Sequence, residues 1–190
     1  MFFSKKVPRL SYSVKGLVGF ALLTMAGMGR AQYSQYFIPE SAGARAGFSF
    51  TGSQSTEFNQ AEAFADWYLP WQAESESGWY LQTKLNLSVG CLNGNGINAA
   101  VGTLEPAVAL GRRHLRLSLE GGVGPTFIGH DRFGSQDFGE QLQFTSFVGV
   151  NYDLTPHWRL GYRFQHMSNA GFAKSNPGLN MNMFALSYAF

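Results

Sequence analysis

The chain has 190 residues, enough for one domain, and its 23 glycines and 15% aromatic residues are typical of strands joined by tight turns. The formal net charge is +2, but five of the 14 basic residues precede position 32. Residues 32–190 therefore carry 9 basic and 12 acidic residues, a net charge of −3. Without a basic excess, this part of the chain is not expected to have a nucleic-acid partner.

The first 31 residues have the pattern of a secretory signal. Basic residues precede a short apolar core over 16–26, and the small residues Gly29 and Ala31 offer a cleavage site. The apolar core is shorter than the roughly 20 residues that a membrane-spanning helix needs. We therefore predict a cleaved signal peptide over 1–31 and a single domain over 32–190.

From residue 45 onward, polar and apolar residues alternate in eight segments of strand length. Alternation with period two places apolar side chains on one face of a strand and polar side chains on the other. The segments are Arg45–Phe50, Glu62–Leu69, Trp79–Val89, Ile97–Leu110, His114–Val123, Gln141–Tyr152, Trp158–Met167 and Asn180–Phe190. This pattern predicts an all-β fold, an eight-stranded antiparallel transmembrane barrel of the outer-membrane type.

Charged residues on these segments share the polar face, which would line the barrel lumen. They are Arg45, Glu62, Asp66, Lys84, Glu105, Arg116, Glu120, Arg159 and Arg163. Because eight strands enclose little free space, we expect these charges to pair or to hydrogen-bond with one another inside the barrel.

A soluble lipocalin-type barrel would alternate in the same way with its apolar face inside, so periodicity alone leaves both architectures open. The last segment favours the membrane. Phe184, Leu186, Tyr188 and Phe190 alternate up to the final residue and resemble the signal that the barrel assembly machinery reads in outer-membrane proteins. We therefore expect an outer-membrane location, with this machinery and outer-membrane lipids as partners.

The strand count also predicts an orientation. An even number of strands places both ends of the domain in the periplasm, and the longer links of such barrels face outward. The links at 52–57, 92–96, 125–139 and 168–179 are then the outer ones. The seventh segment runs outward, so its end lies at the level of the outer leaflet.

Three polar residues lie on the lipid-facing side of the last two segments. His166 and Ser168 share a face with Phe164, and Asn180 shares a face with Phe184. A serine becomes a nucleophile when a histidine accepts its proton and a third group orients that histidine. On spacing alone, an interfacial histidine beside a loop serine is the simpler interpretation.

A family resemblance makes the interpretation more specific. The run His-Met-Ser-Asn-Ala-Gly at 166–171, followed by Asn-Pro-Gly at 176–178, resembles the outer-membrane lipid A 3-O-deacylase family, also called acyloxyacyl hydrolases. The segment Glu-Gly-Gly-Val-Gly at 120–124 adds to this resemblance. It implies an eight-stranded barrel whose lipid-facing serine site hydrolyses an ester-linked 3-hydroxyacyl chain of lipid A, in lipopolysaccharide.

The resemblance also implies a role for each residue of the site. Ser168 matches the nucleophile, and His166 matches the general base. Asn169 and Gly171 lie where hydrogen-bond donors could hold the oxyanion. Asn180 stands where the family has a glutamate, so the third member of this triad carries no negative charge. An amide can orient a histidine but cannot stabilise its positive charge in the same way.

Two other hypotheses remain open because of this asparagine. The chain could be a catalytically inactive lipid-binding or structural outer-membrane barrel of the same fold. It could also be an ordinary small barrel such as an adhesin, although its short outer links argue mildly against that. No cofactor is expected, since His114, His130 and His157 lack the spacing of metal ligands.

Overall fold

The computed structural model describes residues 38–49 and 56–190, so the predicted signal peptide lies outside the described residues. Ten strands are present in this part of the chain: β1 (Ser41–Ser49), β2 (Phe58–Glu74), β3 (Trp79–Gly94), β4 (Ile97–Arg112), β5 (Leu117–Ile128), β6 (Arg132–Phe133), β7 (Gln136–Asp137), β8 (Leu142–Asp153), β9 (Trp158–Ser168) and β10 (Leu179–Ala189). A 3-10 turn, Arg113–Leu115, joins β4 to β5. Among the described residues, no helix is long and apolar enough to cross a membrane.

Eight of these strands close into one antiparallel barrel, in the order β1-β10-β9-β8-β5-β4-β3-β2. The prediction of an all-β, eight-stranded antiparallel barrel is therefore confirmed. Strands β6 and β7 form a separate two-stranded hairpin within the link from β5 to β8. The sequence analysis placed no strand there. We call the end of the barrel that carries this hairpin the outer end.

Several strand boundaries differ from the sequence-based expectation, and β2 is longer than predicted at both ends. The strand β2 continues past Leu69 to Glu74, with a shift of register between Tyr68 and Gln72. Pro70 lies within this irregularity. Proline has no N–H group, so it cannot donate a hydrogen bond to the neighbouring strand, and the regular pairing is interrupted there.

The outer turn from β3 to β4 is also tighter than expected. Only Asn95 and Gly96 separate the two strands, with φ angles of 51° and 76°. Asn-Gly is the sequence that such a two-residue hairpin turn favours, because both residues need positive φ. The predicted link over 92–96 was therefore too long.

The start of β5 shows that one residue predicted to face the lumen, Arg116, does not do so. Arg116 has φ 53° at the end of the 3-10 turn and is exposed, and its guanidinium donates to the Leu154 carbonyl at 3.4 Å. The turn delays the strand until Leu117, so Arg116 lies at the rim instead of inside the barrel. The expectation that it faces the lumen was wrong.

The outward face of the barrel is a continuous apolar surface. Its exposed aliphatic and phenylalanine side chains include Leu87, Val89, Leu104, Val108, Leu119, Val123, Val148, Leu160, Phe164, Phe184 and Leu186. Exposed aromatic residues surround the opposite, inner end: Trp71, Trp79, Tyr152, Trp158 and Tyr188. An apolar band with an aromatic girdle is the surface that a transmembrane barrel presents to lipid.

The inner half of the lumen is filled by buried charges that pair with one another. Arg163 contacts Glu105 at 2.9 Å and Glu62 at 3.5 Å, and Arg45 also pairs with Glu62. Lys84 contacts Glu120 at 2.6 Å. The predicted pairing of lumen charges is confirmed for these residues. A cavity of about 30 Å³ among these charged side chains has room for little more than water.

The outer half of the lumen contains a cluster of buried apolar side chains, which the alternation did not predict. Its buried side chains include Phe58, Leu92, Ile128, Met167, Leu179, Met181 and Met183. The hairpin adds Phe133 at its tip and Phe138 just after β7, and both rings pack edge-on or tilted against Phe58 within 6 Å. This cluster fills the mouth of the barrel.

Candidate active site

The pairing of β9 with β10 brings the predicted base and its partner together. His166 lies directly opposite Asn180, and the two side chains are joined by a hydrogen bond of 2.8 Å between Nδ1 and Oδ1. An amide oxygen can only accept, so Nδ1 carries the proton in this contact. In the neutral form of the ring, this contact leaves the other nitrogen, Nε2, as the acceptor that a general base requires.

The imidazole ring of His166 extends toward the outer end of the barrel. A Cβ atom placed on Gly178 would lie 2.9 Å from His166 Cε1 and 3.6 Å from Nε2. Gly178 lies two residues nearer the outer end than Asn180, just as Ser168 lies two residues nearer the outer end than His166. The ring therefore reaches toward the level of Ser168, and the absence of a side chain at Gly178 gives it room.

Ser168 ends β9 on the same outward side as His166 and is half-buried. It lies opposite Phe144 of β8, whose ring packs against Phe172 of the following loop at 5.9 Å. Its hydroxyl forms no hydrogen bond with any other described residue. Bonds between nucleophile and base are often completed only when substrate is bound, so this geometry is compatible with a serine–histidine pair.

The two predicted oxyanion donors already have partners inside the loop. The Asn169 backbone N–H donates to Asn176 Oδ1 at 3.1 Å, and the Gly171 N–H donates to Asn169 Oδ1 at 2.9 Å. The side chain of Asn169 is fully buried and faces the barrel interior. To hold an oxyanion, either N–H would have to be shared or released, and the role of both residues stays a prediction.

The buried amide of Asn169 connects the loop after Ser168 to the hairpin. Its Nδ2 donates to the carbonyls of Phe138 at 2.9 Å and Ser175 at 2.6 Å. Ser175 Oγ in turn donates to the Asp137 carbonyl at 2.6 Å. The hairpin itself is held by Asp137, whose carboxyl pKa is lowered by the Gly139 N–H and by Arg132. The link from β9 to β10 is therefore held by hydrogen bonds to the hairpin, whose Phe133 and neighbouring Phe138 belong to the apolar cluster in the mouth of the barrel.

Two further polar features on this face were not assigned a role from the sequence. Tyr162 donates a hydrogen bond of 2.7 Å to Asn182 Oδ1, so these two lipid-facing groups satisfy one another. Ser146 of β8 lies directly opposite His166 and is exposed. The alternation of β8 marks Ser146 as outward-facing, but only the strand register reveals that it is next to His166.

The family model of lipid A 3-O-deacylase (PagL) matches residues 59–189, which include His166, Ser168 and Asn180. The chain belongs to the lipid A 3-O-deacylase family. It is also an outer-membrane protein, in agreement with its apolar outward face. The resemblance seen in the sequence is thereby confirmed.

A curated member of this family is similar over part of its length. The lipid A deacylase PagL of Bordetella bronchiseptica is 36% identical over 75 residues, which is 40% of this chain. The matched region spans 42% of that relative, less than half of its length.

Two solved structures are similar to this chain. The crystal structure of the outer membrane enzyme PagL matches with a TM-score of 0.66 and 17% identity, over 78% of this chain and 99% of that one. The N-terminal barrel domain of Pseudomonas aeruginosa OprF matches with a TM-score of 0.47 and 14% identity, over 80% and 98% of the two chains.

The arrangement of these side chains is compatible with the chemistry of a serine esterase, with one departure from the pattern that the sequence resemblance implies. A hydroxyl, an oriented imidazole and a hydrogen-bond acceptor follow one another on the membrane-facing surface. Asn180 supplies orientation without charge. No organic or metal cofactor is needed for acyl transfer by such a group.

Proposed function

We propose that this barrel is an esterase that removes an ester-linked 3-hydroxyacyl chain from the lipid A of lipopolysaccharide. The observation that carries this proposal is the His166–Asn180 hydrogen bond beside Ser168, on the outward face of an apolar barrel surface. Three polar groups have little reason to converge on a lipid-facing surface unless they act on a lipid. The family supports the class of reaction and the lipid A substrate.

In the proposed mechanism, Ser168 Oγ attacks the ester carbonyl while His166 Nε2 accepts its proton. The histidine then gives this proton to the sugar oxygen as the ester bond breaks, which leaves the acyl group on Ser168. A water molecule, activated by the same histidine, releases the 3-hydroxy fatty acid and restores the serine. Asn180 keeps the imidazole in its productive tautomer throughout.

The substrate would remain in the outer leaflet during this reaction. The site lies at the outer end of β9, and below it the apolar side chains of Phe164 and Phe184 face lipid. An acyl chain lying along them would stay in an apolar environment while its ester reaches Ser168. We also propose that the barrel assembly machinery inserts this protein, and that outer-membrane lipids surround it.

A second candidate function is supported by Asn180. In a serine protease, replacement of the triad acid by its amide lowers the rate by about 10⁴. With an asparagine at this position, the barrel could bind lipid A without hydrolysing it. This alternative predicts retained lipid binding and unchanged lipid A.

Mass spectrometry of lipid A distinguishes the two functions. Lipid A is isolated from three strains: one without the protein, one with the wild type and one with Ser168→Ala. The wild type and the variant are present at equal amounts in the outer membrane. The esterase predicts a loss of mass equal to one 3-hydroxyacyl group with the wild type only. Identical spectra from all three strains would support the inactive barrel, and deacylation by Ser168→Ala would exclude Ser168 as the nucleophile.

A further inference from the structure

Ser146 is a polar residue in an otherwise apolar row of side chains. The outward positions of β8 are Leu142, Phe144, Ser146, Val148, Val150 and Tyr152. The neighbour of Ser146 on β5 is Val123, which is 58% exposed, and the next outward residue on β8, Val148, is 60% exposed. Ser146 therefore lies within the lipid-facing surface, where a hydroxyl is unfavourable without a polar partner.

The position of Ser146 is directly next to the proposed base. It pairs with His166 across β8 and β9, just as Asn180 pairs with His166 across β9 and β10. The three residues form one row over three strands. Directly opposite residues in a sheet have Cβ atoms about 5 Å apart, so a group that contacts Ser146 also lies close to the imidazole.

Ser146 differs from Tyr162 and Asn182 on the same face, because its hydroxyl has no hydrogen-bond partner among the described residues. Tyr162 and Asn182 form a hydrogen bond with one another. Within residues 38–49 and 56–190, the Ser146 hydroxyl has no hydrogen-bond partner, although it is exposed. It is thus available to a bound molecule, whereas the Tyr162–Asn182 pair is not.

The level of Ser146 along the barrel indicates which part of a substrate it meets. Ser168 lies opposite Phe144, and Ser146 is two residues further toward the middle of the membrane. Diagonal neighbours of this kind have Cα atoms about 7–8 Å apart. An acyl chain whose ester is at Ser168 descends into the membrane past this point. Its first polar group below the ester is the hydroxyl on the third carbon.

We propose that Ser146 is a specificity-determining residue, whose hydroxyl forms a hydrogen bond with the 3-hydroxyl of the acyl chain that is removed. This inference rests on the proposed esterase function and extends it. It explains why a hydroxyl occupies an apolar row. It also gives the site a way to distinguish a 3-hydroxyacyl ester from an unsubstituted acyl ester of the same length.

The test measures kcat/KM of the full-length barrel in detergent micelles on two synthetic glucosamine phosphate esters. One carries a 3-hydroxyacyl chain on its 3-oxygen, and the other carries an unsubstituted chain of equal length. The variants are Ser146→Ala, which removes the hydroxyl, and Ser146→Thr, which keeps one. Val148→Ala is the matched control, since it shortens the next lipid-facing side chain on the same strand.

The wild type and Ser146→Thr should prefer the hydroxylated ester. Ser146→Ala should lose about threefold to tenfold on that ester only, the effect of one hydrogen bond, and Val148→Ala should keep the preference. Equal rates of the wild type on both esters, or an unchanged preference in Ser146→Ala, would overturn the role of Ser146 alone. Hydrolysis of neither ester by the wild type would overturn the esterase function and this inference together.

Discussion

At the scale of single residues, Asn180 in the proposed triad would separate two tasks that a triad acid usually performs together. Its Oδ1 accepts a hydrogen bond of 2.8 Å from His166 Nδ1, which orients the ring and selects its tautomer. It cannot provide the negative charge that stabilises the imidazolium formed when the serine loses its proton. The substitution Asn180→Glu therefore isolates the contribution of charge.

We expect Asn180→Glu to raise kcat by about tenfold or more, because a carboxylate stabilises the imidazolium. Asn180→Ala should lower kcat, since the ring loses its orienting bond. Ester hydrolysis in micelles measures both effects. Asn182→Glu is the matched control: it adds the same charge on the same face, two residues away. A comparable gain in Asn182→Glu would mean that charge near the site, and not contact with His166, raises the rate.

Gly178 is the second residue on which the position of His166 depends. Its φ is 68°, and an added Cβ would lie 2.9 Å from the imidazole Cε1. Gly96 has a similar φ of 76°, but nothing lies within 4 Å of its added Cβ. The two glycines therefore share a backbone requirement, and only Gly178 also provides space beside the histidine.

Gly178→Ala and Gly96→Ala should each destabilise the barrel by about 1–2 kcal/mol, the cost of the left-handed conformation for a residue with a side chain. Only Gly178→Ala should also lower kcat, because its methyl group displaces the imidazole from its position. Unfolding in urea and ester hydrolysis measure the two effects separately. Full activity in Gly178→Ala would show that the ring tolerates displacement.

At the scale of structural elements, the link from β9 to β10 depends on a hairpin that is distant in sequence. Asn169 donates to the carbonyls of Phe138 and Ser175, and it is fully buried. Phe138 itself packs on Phe133 at 5.9 Å inside the mouth of the barrel. The position of the loop that follows Ser168 is therefore coupled to the apolar cluster in the mouth of the barrel.

The variant Asn169→Asp should loosen this link while the barrel stays closed. A carboxylate can still accept from the Gly171 N–H, but it cannot donate to the two carbonyls and is repelled by them. We expect faster hydrogen exchange over 169–178 and a lower kcat, with unchanged exchange in the strands. Ser175→Ala, which removes a single hydrogen bond to Asp137, should have a smaller effect in the same direction. Exchange that is unchanged in Asn169→Asp would exclude this coupling.

At the scale of the whole molecule, stability and the proposed chemistry belong to opposite sides of the same sheet. The paired charges, including Glu105 and Arg163, are buried in the lumen, whereas His166 is exposed on the outward face. Loss of one partner leaves a buried charge uncompensated, which is more harmful than removal of both. A lumen substitution should thus change stability without changing the rate per folded molecule.

Glu105→Leu should lower the free energy of unfolding by about 3–5 kcal/mol, the usual loss when one partner of a buried ion pair is removed. The double variant with Arg163→Leu should recover part of this loss. Urea unfolding in micelles measures the effect, with kcat per folded barrel as the second readout. Glu74→Gln, which weakens an exposed ion pair with Arg113, should change stability little. If the loss in the double variant equals the sum of the losses of Glu105→Leu and Arg163→Leu measured singly, the two charges are not coupled.

The sequence by itself determined the number of strands in the barrel, their antiparallel arrangement and the faces of His166, Ser168 and Asn180. Alternation with period two depends only on the local geometry of a strand, so it can be interpreted without knowing which strands are neighbours. The same property limited the prediction where local geometry departs from it. The bulge at Pro70 and the displaced start of β5 at Leu117 were both missed.

Only the tertiary structure decided which side chains meet across strands. The neighbours of a residue are set by strand register, and the register of the closed barrel brings Ser146 and Asn180 to opposite sides of His166. It also decided that Phe133 and Phe138 fill the mouth, because a hairpin between two strands can bury its rings only where the closed barrel leaves an apolar space. Period two assigns a face to each residue, whereas closure of the barrel assigns its partner.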